Sequence, residues 1–446
     1  MYPKFHVLRR KEAPRLRRTV VALSTSMVAL LVVFASHGAA QEVIPMDPAI
    51  AEPLRTAILQ SNPSLRAARA SVEAAQARLS GAGLAPAAVL TGEIEDVAGG
   101  TDLKGADVRL QVEREFLTGG RRSAARSLAS ADVRVAEATL YAAERRILAR
   151  GYAAVARLAA SRETARRLAA EDSLLLAAEA SLRDRFAVGE ARYVDVLRLR
   201  TERLRVQSER AEALTSVQTA RSVLAGLVSQ NDLPQIETLL ADRAQGLLEG
   251  PVPPAPDLDS LITAAGALRL SDAVLERARA ERELVLAEQR PRISAALGAQ
   301  RIAEEIGGGS FGPVLETSIT LPFTARGANR AVALAAEREV AAAVARRAAV
   351  VATIRADLSA ALARYEAARE RLAVYNQALL RGVREERESA LAAYRAGELS
   401  LIELLDFERA LARAEIERLG ARADAAEALA DLLAGATRAA DSDLNP

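Results

Sequence analysis

The sequence predicts a mainly α-helical fold with a small β part, in which long coiled-coil helical hairpins are joined to four β-strands. Three observations lead to this fold class. The chain is rich in Ala, Leu, Arg and Glu, with only 3% aromatic residues and no Trp, as in proteins built from long helices. One segment occurs twice, which indicates a duplication. Apolar residues recur at helical spacing over long stretches that contain almost no Gly or Pro.

The duplicated segment surrounds Gly189 and recurs around Gly397, 208 residues later. Each copy ends one long helical pattern and begins another, so each predicts the tight turn of a helical hairpin. Glycine suits the turn because it adopts a left-handed backbone without steric cost. The duplication divides the chain after position 40 into a first structural repeat, a linker, a second structural repeat and a tail. These parts are predicted to span residues 41–232, 233–257, 258–436 and 437–446.

Residues 1–40 are predicted to be a signal peptide that exports the chain. Seven basic residues are followed by a mainly apolar stretch, Thr19 to Phe34, and the small residues Gly38-Ala39-Ala40 offer a cleavage site. The alternative is an uncleaved membrane anchor, although an apolar stretch of about 16 residues is short for a membrane span. Cleavage changes the formal net charge from +2 to −4, because seven basic residues and Glu12 are lost. The basic pI belongs largely to the signal peptide, so nucleic acid is not expected as a partner.

The residues that remain after cleavage argue against an enzyme. The chain has no Cys, and both of its histidines, His6 and His37, lie in the signal peptide. Metal sites built on His or Cys, Cys nucleophiles and His-based triads are therefore unavailable. We expect no enzymatic activity, no cofactor and no bound metal.

The first repeat is predicted to run helix, strand, strand, long helix, turn, helix. Its first helical pattern breaks at Asn62-Pro63, because proline is favoured as the first residue of a new helix. After Pro86 the apolar period changes to two, which predicts a pair of strands. Gly119-Gly120 then returns the chain from strand to helix. The predicted elements are strands at about 87–97 and 106–116, a long helix over 120–186, a tip over 187–192 and a helix over 193–228.

The predicted strands alternate apolar and polar residues, as the segment from Val108 to Glu113 does. This alternation fits a soluble hairpin with one buried face. It fits equally well the strands of an outer-membrane barrel, with apolar side chains toward lipid and polar ones toward a wet interior.

The long helix carries a strict heptad repeat. Apolar or small residues recur at Val133, Leu140, Ile147, Ala154, Ser161, Leu168, Leu175 and Leu182. This repeat predicts left-handed coiled-coil packing. At about 1.5 Å per residue the helix measures roughly 100 Å, which is too long for a globular domain.

The second repeat follows the same plan. A helical pattern over 259–289 leads to Pro291, and the glycine-rich loop Ile306–Ser310 separates two strands. Arg326-Gly327 then opens a long helix that is interrupted only by Gly382. The predicted elements are strands at about 292–302 and 313–323, a long helix over 327–394, a tip over 395–400 and a helix over 401–433.

Four strands per chain are too few to close a pore-forming barrel. A membrane barrel must nevertheless be closed, because unpaired strand edges are costly in hydrocarbon. The strands must therefore be pooled between subunits, and a ring of three chains supplies twelve strands and twelve helical legs. This reasoning predicts a homotrimeric channel in which four transmembrane β-strands per chain form a β-barrel and the helices form an α-barrel.

In the order and spacing of these features, the mature chain resembles the TolC family of outer-membrane efflux proteins. The resemblance rests on the Asn62-Pro63 helix start, the two tips, and the strand-to-helix returns at Gly119, Gly120, Arg326 and Gly327. It implies a trimer in contact with outer-membrane lipid, with a helical tunnel through the periplasm. It also implies docking to a periplasmic adaptor and an inner-membrane pump, as in members that work with resistance-nodulation-division pumps. The implied function is a passive exit duct for efflux.

The resemblance further implies roles for residues at the two tips. The tip residues would meet the adaptor, and they are Val188, Gly189, Glu190, Ala396, Gly397 and Glu398.

Acidic residues beside the second tip are implied to face the tunnel constriction. These residues are Glu403 and Asp406, and three chains would form a ring of six carboxylates that favours cations. The first repeat keeps Asp195 at the equivalent of Glu403 but has Arg198 at the equivalent of Asp406. Arg198 would instead link to Asp406 and latch the closed end. Alternatively, these charges only cap and solvate helix starts, because acids near a helix N-terminus are favoured by its dipole.

The alternative function is a periplasmic coiled-coil adaptor or scaffold protein without a membrane barrel. Such a protein would bury its strands in a soluble β-domain and form no pore. Two helical hairpins with only four strands favour the channel.

Overall fold

The computed structural model of the protein describes residues 48–95, 107–303, 309–320 and 326–438, which lie in one compact unit. The predicted signal peptide lies outside the described residues, as do residues 439–446 of the predicted tail. The ends of the predicted strands at 96–97, 106 and 321–323 lie outside them as well.

Within these residues the chain forms ten α-helices and four strands. The first half contains α1 (Pro48–Ser61), α2 (Pro63–Gly81), β1 (Val89–Glu95), β2 (Asp107–Phe116), α3 (Arg121–Ala187), α4 (Tyr193–Leu227) and α5 (Leu233–Glu249). The second half contains α6 (Leu258–Thr263), α7 (Gly266–Glu288), β3 (Arg292–Ala303), β4 (Gly309–Thr320), α8 (Arg326–Val374), α9 (Leu380–Ala396) and α10 (Leu401–Arg438). Among the described helices, none combines the length and the apolar character that crossing a membrane requires.

Asn62 forms the break between α1 and α2. Its Oδ1 accepts hydrogen bonds from the backbone N–H groups of Ser64 at 3.0 Å and Leu65 at 3.3 Å, which caps the N-terminus of α2. Its Nδ2 donates to the carbonyl oxygen of Leu227 at 3.1 Å, at the end of α4. Pro63 follows as the first residue of α2. The Asn62 side chain therefore caps the N-terminus of α2 at the break after α1. It also connects this break to the end of α4.

The burial pattern confirms the heptad seam of α3. Seven of its eight predicted positions are buried, and only Leu140 is half-buried. The part of the seam nearest the tip packs with α4 and α10 in one hydrophobic cluster, whose members include Leu168, Leu175, Leu182, Leu199 and Leu405. The 67 residues of α3 give a helix of about 100 Å at 1.5 Å per residue.

The second long helix differs from the prediction, which interrupted residues 327–394 only at Gly382. Gly382 lies inside α9 and does not break it. The regular helix instead ends at Val374, and a π-helical turn over Tyr375–Leu379 joins α8 to α9.

The duplication explains this π-helical turn. Buried Ala361 of α8 lies 207 residues after buried Ala154 of α3, whereas the two tip glycines lie 208 residues apart. The second repeat therefore has one more residue between the buried position Ala361 and its tip glycine than the first repeat has between Ala154 and Gly189. A π-helical turn accommodates that residue without ending the helix.

The predicted linker, residues 233–257, is helical over most of its length. Its residues Ile236, Leu240 and Leu247 are buried along one side of α5, so the segment is an amphipathic helix that ends at Gly250. The prediction relied on the polar and proline-rich ends of this segment and overlooked the helical spacing between them. The predicted helix over 259–289 is likewise divided, into α6 and α7, at buried Ala265.

The four strands form one antiparallel sheet in the order β1-β2-β3-β4. Pairing of β2 with β3 joins the hairpins of the two repeats, with Val112 opposite Leu297 and Leu110 opposite Ala299. β1 and β4 are the edges, and neither pairs with a further strand among the described residues. Each edge therefore presents backbone groups to which another strand can bind.

The two faces of the sheet differ in chemistry. One face is apolar, and its large side chains are 46% to 76% exposed: Leu90, Ile94, Leu110, Val112, Phe116, Leu297, Phe311, Leu315 and Ile319. The other face is polar, with the charged residues Glu93, Asp107, Arg109, Glu113, Glu115, Arg292 and Glu316. Soluble monomers rarely expose an apolar area this large.

Candidate functional site

The first tip ends α3 in a left-handed turn. Gly189 has a φ of 82°. Its N–H donates to the carbonyl oxygen of Phe186 at 3.0 Å, and the N–H of Glu190 donates to that of Arg185 at 2.8 Å. This pair of hydrogen bonds is the Schellman motif, which satisfies the last carbonyl groups of a helix.

The second tip repeats this geometry at the end of α9. Gly397 has a φ of 78°. Its N–H donates to Tyr394 at 3.0 Å, and the N–H of Glu398 donates to Ala393 at 2.9 Å. Because the same two bonds form in both repeats, the recurring glycine has the same conformational role in each.

Both tips are open surfaces. A Cβ atom added to Gly189 or Gly397 would have no atom within 4 Å outside the adjoining chain. Val188 is 72% exposed. The tip geometry therefore leaves room for larger side chains at these glycines, and only their positive φ disfavours substitution.

The acidic residues after the tips have local partners. Asp195 accepts hydrogen bonds from Arg192 at 3.0 and 3.1 Å, within the first turn of α4. Glu403 forms a capping box at the start of α10. Its carboxylate accepts from the N–H of Ser400 at 2.8 Å and from its hydroxyl at 2.7 Å, while the Glu403 N–H donates to that hydroxyl at 3.3 Å. These bonds from Ser400 lower the pKa of Glu403.

We expect Glu403 to make stability depend on pH in the acid range. Its pKa is lowered by folding, so its contribution is present above the unfolded value of about 4.3 and is lost as the pH falls through the folded value. The measurement is the melting temperature of the protein and of Glu403→Ala at a series of pH values. The two curves should separate at neutral pH and converge as the pH falls below the unfolded value of about 4.3 and through the lowered folded value. A gap of constant size across this range would contradict the prediction.

Asp406 connects two arginines. It accepts from Arg198 of α4 at 3.3 Å and from Arg409 of α10 at 2.9 Å. The first contact is the α4–α10 link that the sequence analysis predicted. The side chains of Arg198 and Asp406 are 57% and 44% exposed, and a pair this exposed contributes at most about 1 kcal/mol. The link is therefore weak enough to break and re-form.

Sequence reasoning missed the partners of this link. Arg409 is 12% exposed, and its Nε lies 4.0 Å from Oε1 of Glu202 on α4. Arg413 lies 3.7 Å from the same oxygen. The contact of Arg409 with Asp406 was detectable from their i, i+3 spacing on one helix. The contacts with Glu202 depend on how α10 packs against α4, and no local pattern signals them.

The first strand-to-helix return is built around a buried arginine. Arg121 is 5% exposed. Its guanidinium donates to the carbonyl oxygens of Ala287 at 3.3 Å, Glu288 at 3.0 Å and Arg290 at 2.5 Å, which lie at the end of α7. A cation is favoured there by the partial negative charge of the helix C-terminus. Arg121 is the first residue of α3, and its hydrogen bonds thus connect the start of α3 to the second repeat.

Gly119 and Gly120 permit this return. Their φ values are 66° and 81°. Arg290 donates to the carbonyl oxygen of Gly119 at 2.6 Å, and a Cβ on Gly119 would lie only 2.8 Å from Cδ of Arg290. Gly119 is therefore required for its backbone conformation and for the close approach of Arg290.

The second return is built differently. Arg326 and Gly327 are the first two residues of α8, so Gly327 is helical, and a Cβ there would meet no atom within 4 Å. The contact across this return is a hydrogen bond from Gln289 to the carbonyl oxygen of Asn329 at 2.9 Å. The two returns share their place in the repeats but not their hydrogen bonds.

The sequence of this chain is similar to those of known proteins. Residues 259–436 match the family model described as outer membrane efflux protein. The cobalt-zinc-cadmium resistance protein CzcC of Cupriavidus metallidurans is 25% identical over 362 residues, which cover 81% of this chain and 83% of CzcC. Residues 259–436 therefore carry an outer membrane efflux protein domain.

Solved structures share the fold of this chain. A membrane protein from Pseudomonas aeruginosa superimposes with a TM-score of 0.72 at 22% identity, over 88% of this chain and 93% of that one. The outer membrane channel MtrE of Neisseria gonorrhoeae, in its open state, gives a TM-score of 0.66 at 21% identity, over 89% and 90% of the two chains. The predicted fold class, mainly helical with a small β part, is confirmed. The predicted localisation in the outer membrane agrees with the description of the matched family model.

Proposed function

We propose that this protein is the exit duct of a tripartite efflux system and conducts its substrates passively from the periplasm to the exterior. Three chains each contribute four strands to a β-barrel in the outer membrane. Their hairpins, α3 with α4 and α8–α9 with α10, form the helical tunnel. A periplasmic adaptor joins this tunnel to an inner-membrane pump, which supplies the energy.

The observation that carries this proposal is the exposed apolar face of a sheet with two open edges. Lipid would cover the apolar face, and the strands of neighbouring chains would pair with β1 and β4. All strand edges would then be closed, as hydrocarbon requires. The alternative, a soluble periplasmic adaptor or scaffold, is not favoured, because no described residues bury this face.

The polar face of the sheet indicates whether the channel would favour positively or negatively charged ions. It would line the wet interior of the barrel, and its described residues include five acids and two arginines. Excess negative charge in a narrow aqueous path attracts cations and repels anions. Because CzcC is a cobalt-zinc-cadmium resistance protein, divalent metal cations are the first substrates to test.

The tips and the residues beside them complete the proposed duct. The open surface at Val188, Gly189 and Glu190, together with its counterpart at Ala396, Gly397 and Glu398, is the proposed docking site for the adaptor. The link between Arg198 and Asp406 is the proposed latch of the gate, since it joins the starts of α4 and α10. Asp195 and Glu403 stabilise these two helix starts and add negative charge beside the latch.

Planar-bilayer conductance of the detergent-extracted protein tests the duct, with the oligomeric mass measured on the same sample. We expect trimers that form small cation-selective channels. A detergent-independent monomer or dimer without conductance would overturn the proposal in favour of the soluble scaffold.

For the latch, we expect Arg198→Ala to increase the time that single channels spend open. Loss of an exposed pair worth up to about 1 kcal/mol shifts a closed–open equilibrium up to about fivefold. The matched control is Arg192→Ala, which removes an arginine whose carboxylate partner, Asp195, lies on the same helix. Equal open times for Arg198→Ala and the unmodified channel would remove the latch from the mechanism.

A further inference from the structure

Arg114 is a charged residue on the apolar face of the sheet. It alternates in phase with Leu110, Val112 and Phe116 of β2, all of which are exposed on that face. The register places Ala295 of β3 opposite Arg114. A guanidinium group therefore projects from a mainly apolar surface. Among the described residues, the other charged residue on this face is Arg301, which lies opposite Val108, six residues along the sheet from Arg114.

The described residues provide no acceptor for this guanidinium. Arg114 forms no hydrogen bond or ion pair with another residue in the described parts of the chain. Arg109, on the polar face of the same strand, shows the contrast. It donates to Gln300 at 3.3 Å and lies 3.9 Å from a carboxylate oxygen of Glu93.

Arg114 also lies near the helix-side margin of the apolar face. It is two residues, or about 7 Å along the strand, from Phe116, where β2 ends and the chain returns to α3. An arginine on a lipid-facing strand is costly at the middle of a bilayer but nearly free at its interface. Its long side chain can extend along the apolar surface and place the charge at that interface.

A neighbouring chain would not cover Arg114. β2 lies inside the sheet, and strands of other chains would pair only with the edges β1 and β4. The face around Arg114 stays available to the surrounding medium in any assembly closed through those edges.

We propose that Arg114 binds the phosphate group of an anionic phospholipid in the periplasmic leaflet of the outer membrane. This inference rests on the proposed function, because it requires the apolar face to lie in lipid. A planar guanidinium bonds two phosphate oxygens at once, and a desolvated interface strengthens the pair. The site would hold a lipid headgroup at the level where strands give way to helices.

Native mass spectrometry tests this site by counting the lipids retained on detergent-released trimers. The probes are phosphatidylglycerol, phosphatidylcholine and inorganic phosphate, added separately to the protein and to Arg114→Gln. We expect phosphatidylglycerol to bind the unmodified protein on the order of fivefold more tightly than Arg114→Gln, the effect of one cation at an anionic surface. Arg114→Lys should keep most of this preference, and inorganic phosphate should not displace the lipid.

Arg109→Gln is the matched control, since it removes a cation from the opposite face of the same strand. It should leave lipid retention unchanged. Conductance measured on the same preparations separates this inference from the proposed function. Normal pores with equal phosphatidylglycerol affinity in Arg114→Gln would overturn the phosphate site alone, whereas the absence of pores in every variant would overturn both. Displacement of the lipid by inorganic phosphate would also overturn the lipid as occupant.

Discussion

Replacing Arg121 by methionine is expected to lower the free energy of unfolding by about 3 to 5 kcal/mol, the range for removing one partner of a buried charged contact. Methionine keeps much of the side-chain volume but donates no hydrogen bond. The carbonyl groups of Ala287, Glu288 and Arg290 would lose a buried donor, and the joint between α7 and α3 would lose its main polar contact. Circular dichroism during thermal or denaturant unfolding in detergent measures the effect.

The control for Arg121→Met is Arg122→Met. Arg122 is the next residue of α3 and is exposed, so its replacement should change stability by no more than about 0.5 kcal/mol. Similar losses in the two variants would show that Arg121 contributes no more than a surface charge. A decrease in trimer yield that is specific to Arg121→Met would show that the joint also affects assembly.

Phenylalanine at Gly189 is expected to abolish efflux while the channel itself stays intact. The tip has space for the ring, because no atom outside the adjoining chain lies within 4 Å of the added Cβ. The positive φ makes the substitution strained, at roughly 1 to 2 kcal/mol for a non-glycine residue. We therefore expect the substitution to prevent adaptor docking and to leave the fold intact. The measurement is efflux of zinc, as a test cation for the proposed duct, from cells that carry the proposed adaptor and pump, with trimer mass and bilayer conductance in parallel.

Two further variants make the test of the tip specific. Gly397→Phe places the same ring at the equivalent position of the second repeat and should have the same effect. Gly226→Phe adds the ring within α4, where the structure also shows no neighbour within 4 Å, and should leave efflux unchanged. Normal efflux in both tip variants would show that the adaptor docks elsewhere.

Much of the fold was predictable because it is encoded in short-range patterns. Seven of the eight heptad positions of α3 are buried, as a period of seven requires, and the strands alternate between an apolar and a polar face. The tips were predictable because a positive φ strongly favours glycine, and the same hydrogen bonds recur at Gly189 and Gly397. The contact between Arg198 and Asp406 followed from comparison of the two repeats.

Local patterns also contained information that the sequence analysis passed over. Ser400 and Glu403 have the spacing of a capping box, which explains the observed hydrogen bonds of Glu403. The helical spacing of Ile236, Leu240 and Leu247 was present within a segment interpreted as a linker. The two repeats differ in length by one residue between seam and tip, and this difference predicts an irregular turn such as the one at Tyr375–Leu379.

Other features of the site were decided only by the tertiary structure. Arg121 reaches carbonyl groups more than 160 residues away, and Glu202 approaches Arg409 and Arg413 across two helices. The free guanidinium of Arg114 became evident only when its face and its neighbours were known. Periodicity determines which side of a helix or strand is apolar, because that depends on neighbours a few residues apart. Contacts between distant elements depend on the rotation and offset at which those sides pack, and these are set by the assembled core.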